Sequence, residues 1–195
     1  MRIDSAAVWA RLQKAVAHPD PPDVAAVMAE IIDICESGLP HADWAAVRAL
    51  DYAGAADAVG KWFRCTLHTE LPAAPTRGLC VALVNPVHTP GEATLDLEMF
   101  GTAEFDGADP GLHWLFSRCY SPDAYAECAV LDQLYGIAYG THSFAELIEG
   151  TLGNECEWPV GLAFAVLATR RILAEFNVGD LPGAAPPAGV AAGWA

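Results

Sequence analysis

Basic side chains are scarce. The chain carries 10 Lys and Arg against 25 Asp and Glu in 195 residues, a formal net charge of −15 at pH 7. Nucleic-acid binding needs clustered cations that displace counterions from phosphates, so nucleic-acid partners are excluded. Long apolar runs are missing too. The longest lies near 160–168, short of the roughly 18 residues a membrane span needs, so no membrane partner is expected. Asp4 and the polar residues that interrupt 6–17 leave no apolar core for a secretory signal. The six cysteines, Cys35, Cys65, Cys80, Cys119, Cys128 and Cys156, form no CxxC pair and no compact framework. Most stand in apolar stretches, which predicts reduced, buried thiols and a cytoplasmic location rather than a disulfide scaffold.

Recognisable catalytic and metal motifs are lacking as well. There is no G-x-S-x-G. Gly54–Lys61 has one residue too many between its glycines for a phosphate loop, and Trp62 stands where Ser or Thr would hold magnesium, so it reads as helix. His68-Thr69-Glu70 has the H-x-E pattern of zinc deaminases without the later P-C-x-x-C, and reads as a helix end. The six histidines form no i, i+3 or i, i+4 pair. Among them His113, beside Trp114, reads as a sheet-face residue. Glu104–Asp109 is too sparse in oxygens for a calcium loop and reads as a polar turn. Glu155 and Glu157 flank Cys156 before the last helix, where they oppose its dipole. No catalytic residue, metal or cofactor is implied.

What remains is a chain that folds. Hydrophobic residues make up 53% and charged residues 18%, which excludes disorder for most of the length and suits one domain over 1–178. Residues 1–71 read as helices. Asp4 or Ser5 caps the first, and Asp20 caps the second with Pro21 at its first position. A third starts near Asp43, breaks at Gly54 and resumes. Pro72–Pro75 is a connector to a sheet-plus-helix part over 78–178. There, Leu79–Val84 is an apolar run that reads as a strand buried on both faces. Thr94–Phe100 alternates, with Leu95, Leu97 and Met99 on one face and Asp96 and Glu98 on a solvated one. Leu112–Phe116 reads as a third strand. Helices follow from Ser121 to Tyr139, at a Ser143–Glu146 capping box, and from Trp158–Pro159 to Gly179. Residues 179–195 hold four Gly, three Pro and six Ala and read as a flexible tail. The expected class is α+β, with N-terminal helices, an antiparallel sheet of two or three strands, and C-terminal helices packed on it.

Charge supplies the functional expectation. From Gly78 to Thr169, Arg118 is the one basic residue against thirteen acids, more than the roughly 2–8 net charges that keep a small domain soluble. Self-repulsion of that size is relieved by a cationic partner, and the same field steers one in. The chain is therefore expected to be a non-enzymatic binding protein that engages a basic protein, such as a toxin, through Asp96, Glu98, Glu104, Asp106, Asp109 and Trp114. Small acidic α+β chains without an evident active site share this profile with toxin-neutralising immunity proteins and other bacterial inhibitors, an analogy of profile alone. The alternative is a small hydrolase-type enzyme with a pocket between sheet and C-terminal helices, using Cys119, His113 or the acids near Asp106.

Overall fold

Aspartate side chains start the longer N-terminal helices. Asp4, Asp23 and Asp51 each accept the backbone N–H three residues on, from Ala7 at 3.0 Å, Ala26 at 3.1 Å and Gly54 at 2.9 Å. These bonds satisfy donors that a first helical turn leaves open. They begin α1 (Ser5–Val16), α2 (Val24–Gly38) and α4 (Tyr52–Thr69), with the short α3 (Trp44–Arg48) before the last. The cap expected at Asp20 falls instead at Asp23, because Pro22 keeps Pro21 out of the helical region. Helix α4 takes in both Gly54–Lys61 and His68.

The structure is a computed structural model that describes residues 2–72, 75–89, 92–109, 111–123, 125–140, 150–176 and 184–194. Its strands are β1 (Thr76–Val84), β2 (Val87–Thr89), β3 (Glu92–Ala93), β4 (Asp96–Thr102), β5 (Arg118–Tyr120) and β6 (Ala184–Trp194). β2 and β3 form a separate ribbon; the main sheet has the order β5-β4-β1-β6. β1 and β4 are antiparallel, with Cys80 opposite Phe100 and Leu83 opposite Leu97. β6 runs parallel to β1, with Leu79 beside Val190 and Leu83 beside Trp194. The class is α+β as expected, but the sheet has four strands and is mixed rather than antiparallel.

Four elements depart from the sequence reading. Leu112–Phe116 is not a strand: Leu112 adopts φ 51° and starts a 3₁₀ turn over His113–Phe116, so pairing resumes only at β5. The helix expected from Ser121 begins at α5 (Ala129–Tyr139), because Ala126 is drawn into a bridge with Leu97 through a 2.8 Å N–H bond. The last helix starts earlier, as a turn α6 (Asn154–Cys156), a π-helical stretch Glu157–Gly161 and then α7 (Leu162–Glu175). Pro159, within the π-helical stretch, has no N–H to give a regular ladder. The tail expected to be flexible contains β6. Its register gains three residues on β1 between Ala184 and Gly189, across Pro186 and Pro187, which cannot donate to a ladder. The Ser143–Glu146 box lies outside the described residues.

The sheet is covered on both faces. On one, Leu79, Val81 and Leu83 of β1 and Leu97 and Met99 of β4 join a core with Trp44, Phe63 and Phe164 from the helices, and α7 packs on α1, α2, α4, β1 and β6. On the other, Cys80, Ala82 and Phe100 meet Leu115 and Ala191. Two glycines make this second cover fit. A Cβ on Gly78 would come within 2.9 Å of the Trp114 ring, and one on Gly189 would fall inside the ring of Phe105. β4 is thus not a half-solvated strand.

Four of the thiols, Cys35, Cys80, Cys128 and Cys156, are buried, while Cys65 is exposed and Cys119 half-buried; all six are free. Burial pushes Cys35 and Cys80 each up to about 12, where almost no thiolate exists at neutral pH. A thiol-reactive probe is expected to label Cys65 first and Cys119 more slowly, and the other four only after denaturation, as read by peptide mass spectrometry. Removal of residues 184–194 bares an edge of the apolar β1. It is expected to cost at least about 3 kcal/mol, or roughly 6–12 °C at this chain length, in thermal unfolding followed by circular dichroism.

Candidate functional site

The residues between β4 and β5, 103–117, form a loop that is tightly organised from within. Asp106 accepts the Ala108 N–H at 2.9 Å, and Asp109 accepts the N–H groups of Gly111 at 2.9 Å and His113 at 2.7 Å. These are Asx-type turns in which a short carboxylate replaces a backbone acceptor. Ser117 ties the two ends. Its hydroxyl donates to the Trp114 carbonyl at 2.7 Å and accepts the Glu104 N–H at 3.0 Å, and its carbonyl accepts the Ala103 N–H at 2.8 Å. Phe105 meets Trp114 edge to face with centroids 5.0 Å apart, and both rings lie over the sheet's glycines.

Three features of this loop work against folding. Phe116 is 87% exposed and Leu112 45% exposed. Leu112 is also the one non-glycine with positive φ among the described residues. The Trp114 indole N–H is buried and has no hydrogen-bond partner among the described residues, an omission that costs on the order of 1–3 kcal/mol. Unfavourable features gathered on a loop braced from within point to a task other than stability.

The expected site residues separate. Glu104, Asp106 and Asp109 share the loop with Trp114, but Trp114 is a buried support rather than a contact residue. Asp96 is only 3% exposed, because the second face of β4 is covered, so it is not part of an acidic surface. Glu98 is half-buried and bound to Arg118 at 2.7 Å, whose guanidinium also lies 3.9 Å from the Phe100 centroid. His113 is exposed on the loop, its Nδ1 3.1 Å from Asp109, not on a sheet face. Cys119 lies on β5, its thiol 3.8 Å from the Pro75 carbonyl, and packs against the main core. Between β1 and the start of the last helix the packing is tight: a Cβ on Gly161 would stand 3.0 Å from Leu95 and 3.1 Å from Leu83. Between β6 and α7 a cavity lined by Val166, Leu173, Val190 and Ala192 remains. Phe116 and Leu112 escaped the sequence reading because Leu112–Phe116, apolar apart from His113, looks like a strand whichever way its side chains turn.

A second polar cluster is internal. Glu157, 3% exposed, accepts from Asn85 Nδ2 at 2.8 Å and from the Tyr139 hydroxyl through a short bond. It thereby ties the end of β1 to α5 and the π-helical stretch. Burial, reinforced by Glu157, holds the Tyr139 phenol above the usual tyrosine range. Sequence alone placed Glu157 as a helix-dipole acid; only the fold brings Asn85, 72 residues away, against it. Among the described residues no three His, Cys, Asp or Glu gather as a metal site, and no helix is long and apolar enough to cross a membrane.

No family model, curated protein or solved structure matches the chain.

The Gly111 and His113 N–H groups, assisted by the His113 ring, hold Asp109 below its ordinary 3.8. A carboxylate whose folded value is depressed supports the structure above its unfolded value and loses that support as pH falls through the folded one. NMR signals of Leu112, His113 and Trp114 backbone amides are therefore expected to report an intact loop at about pH 5 and an opening loop only below the ordinary carboxylate range of roughly 4. In Asp109→Asn, which keeps the acceptor and removes the charge, that acid transition should vanish.

Proposed function

We propose that the chain is a non-enzymatic binding protein that captures a basic protein partner with the loop 103–117. Phe116 and Leu112 are the apolar anchors, and Glu104, Asp106 and Asp109 form the charged rim. The observation that carries this reading is the 87% exposure of Phe116 on a loop that its own hydrogen bonds hold in place. A rigid, solvent-facing aromatic is what interface hot spots use, because little conformational entropy is lost when it docks. The net charge of −15 supplies long-range attraction to a cationic surface. The partner's site is then an apolar recess bordered by Lys and Arg. An inhibitor or immunity role is the finer form of this reading, and the free thiols suit a reducing compartment. The enzyme alternative has two observations on its side, the buried Glu157 in a π-helical stretch and a cavity between β6 and α7. That carboxylate, however, already serves Asn85 and Tyr139 as a structural tie, and none of His113, Cys119 and Asp106 lines that cavity.

The test begins with a pull-down in which Phe116→Ala is the negative bait, followed by kinetics on the partner retained by the unaltered chain alone. Phe116→Ala is expected to leave unfolding free energy within about 0.5 kcal/mol and to raise Kd about thirtyfold, mainly through dissociation. Replacing Glu104 by Gln with Asp106 and Asp109 by Asn is expected to slow association about tenfold at low salt and to change dissociation little. Association that is indifferent to salt and to these changes would reject the reading.

A further inference from the structure

The helix-facing side of the sheet is unevenly filled. β1 presents Leu79, Val81 and Leu83 to the helices, and beside the first two of these β6 places the smaller Val190 and Ala192. Under α1 and α7 this shortfall leaves a cavity of about 400 Å³, walled by Leu12, Val16, Val166, Leu173, Val190 and Ala192. That volume falls in the range of small-molecule sites, roughly 300–1,000 Å³. Trp9 stands at the margin with half its surface in solvent.

One end of the cavity is cationic. Arg170 lines it and reaches the C-terminus of α1, where Nε donates to the Val16 carbonyl at 3.2 Å. Nη2 donates to the carbonyls of His18 at 2.9 Å and Pro19 at 3.1 Å. Arg11, Arg48, Arg64, Arg118 and Arg171 each bind a carboxylate; among the described residues the partners of Arg170 are neutral carbonyl oxygens. Those three bonds take up Nε and Nη2 and fix the guanidinium; the Nη1 hydrogens take no part in them and are the donors an anion would meet. Thr169, the other polar neighbour on α7, turns its hydroxyl to the Ala165 carbonyl at 2.8 Å and offers the cavity nothing.

We propose that this cavity is a binding site for an unbranched aliphatic carboxylate, its chain between α1, α7 and β6 and its carboxylate on Arg170. The site is separate from the loop 103–117 and does not depend on the function assigned to that loop. An apolar chain with one anionic end matches a wall of aliphatic side chains with one cation at its edge. The fit is specific in both halves: burial rewards chain length, and the guanidinium rewards charge.

The full chain is titrated by calorimetry with hexanoate, octanoate, decanoate and dodecanoate below their micelle concentrations, and with 1-decanol. Saturable binding of one equivalent is expected, tightening about fourfold per added methylene until the cavity is full. Arg170→Gln is expected to weaken decanoate about tenfold or more and to leave decanol within about twofold. Ala192→Phe, which fills the cavity from β6, should abolish both. Val166→Phe fills it from α7 and serves if the first variant fails to fold, with folding checked by circular dichroism. Absence of saturable binding, equal affinity for decanoate and decanol, or binding that survives both cavity-filling variants would each overturn the proposal.

Discussion

The pairing of β1 with β4 along one edge and with β6 along the other joins the N-terminal helices and the end of the chain in a single sheet. β1 itself is almost wholly apolar and buried. It tolerates burial because both rows of its backbone donors and acceptors are paired, antiparallel on one side and parallel on the other. Each layer is placed by it. The helices rest on Leu79, Val81 and Leu83, and the loop 103–117 rests its aromatic rings on the face that begins at Gly78. Without β6 that strand would be an open apolar edge.

The same arrangement explains why the loop is stiff although it projects. Phe105 and Trp114 are held down by contact with backbone at Gly189 and Gly78, positions where any side chain would collide. Asp106 and Asp109 then act twice, as acceptors for the loop's own N–H groups and as charge at its surface. Phe116 is exposed as a consequence: the 3₁₀ turn that buries Trp114 turns the residue two positions later outward. A surface built in this way presents a fixed shape to a partner, and most of the ordering cost has been met within the fold.

Small residues on β6 have opposite consequences on the two faces of the sheet. On the outer face Gly189 admits the ring of Phe105 and the layer closes. On the helix side Val190 and Ala192 are small, and a cavity remains between them, α1 and α7. Glu157 illustrates a different economy, since one buried carboxylate bound by Asn85 and Tyr139 links the end of β1, α5 and the π-helical stretch.

Much of the local structure was legible in the residues. The N-cap at Asp4, the helical spacing of α2 and α4 and the apolar run of β1 all rest on short-range chemistry: a side-chain oxygen meeting a nearby N–H, or a period repeated over ten residues. The acidic imbalance was equally plain, because charge is additive along a chain. What failed were inferences about which surfaces other segments cover. Alternation in β4 is consistent with a solvated face, yet Leu115 and Ala191, far apart in sequence, close it over Phe100, and at the other end of the strand Asp96 is buried as well. The composition of residues 184–194 predicts little burial, but a strand is held by its main chain, and only the vacant edge of β1 could reveal that. The exposure of Phe116, the tie at Glu157 and the cavity beside Arg170 were settled by tertiary structure alone, for each depends on contacts between segments that no local pattern records.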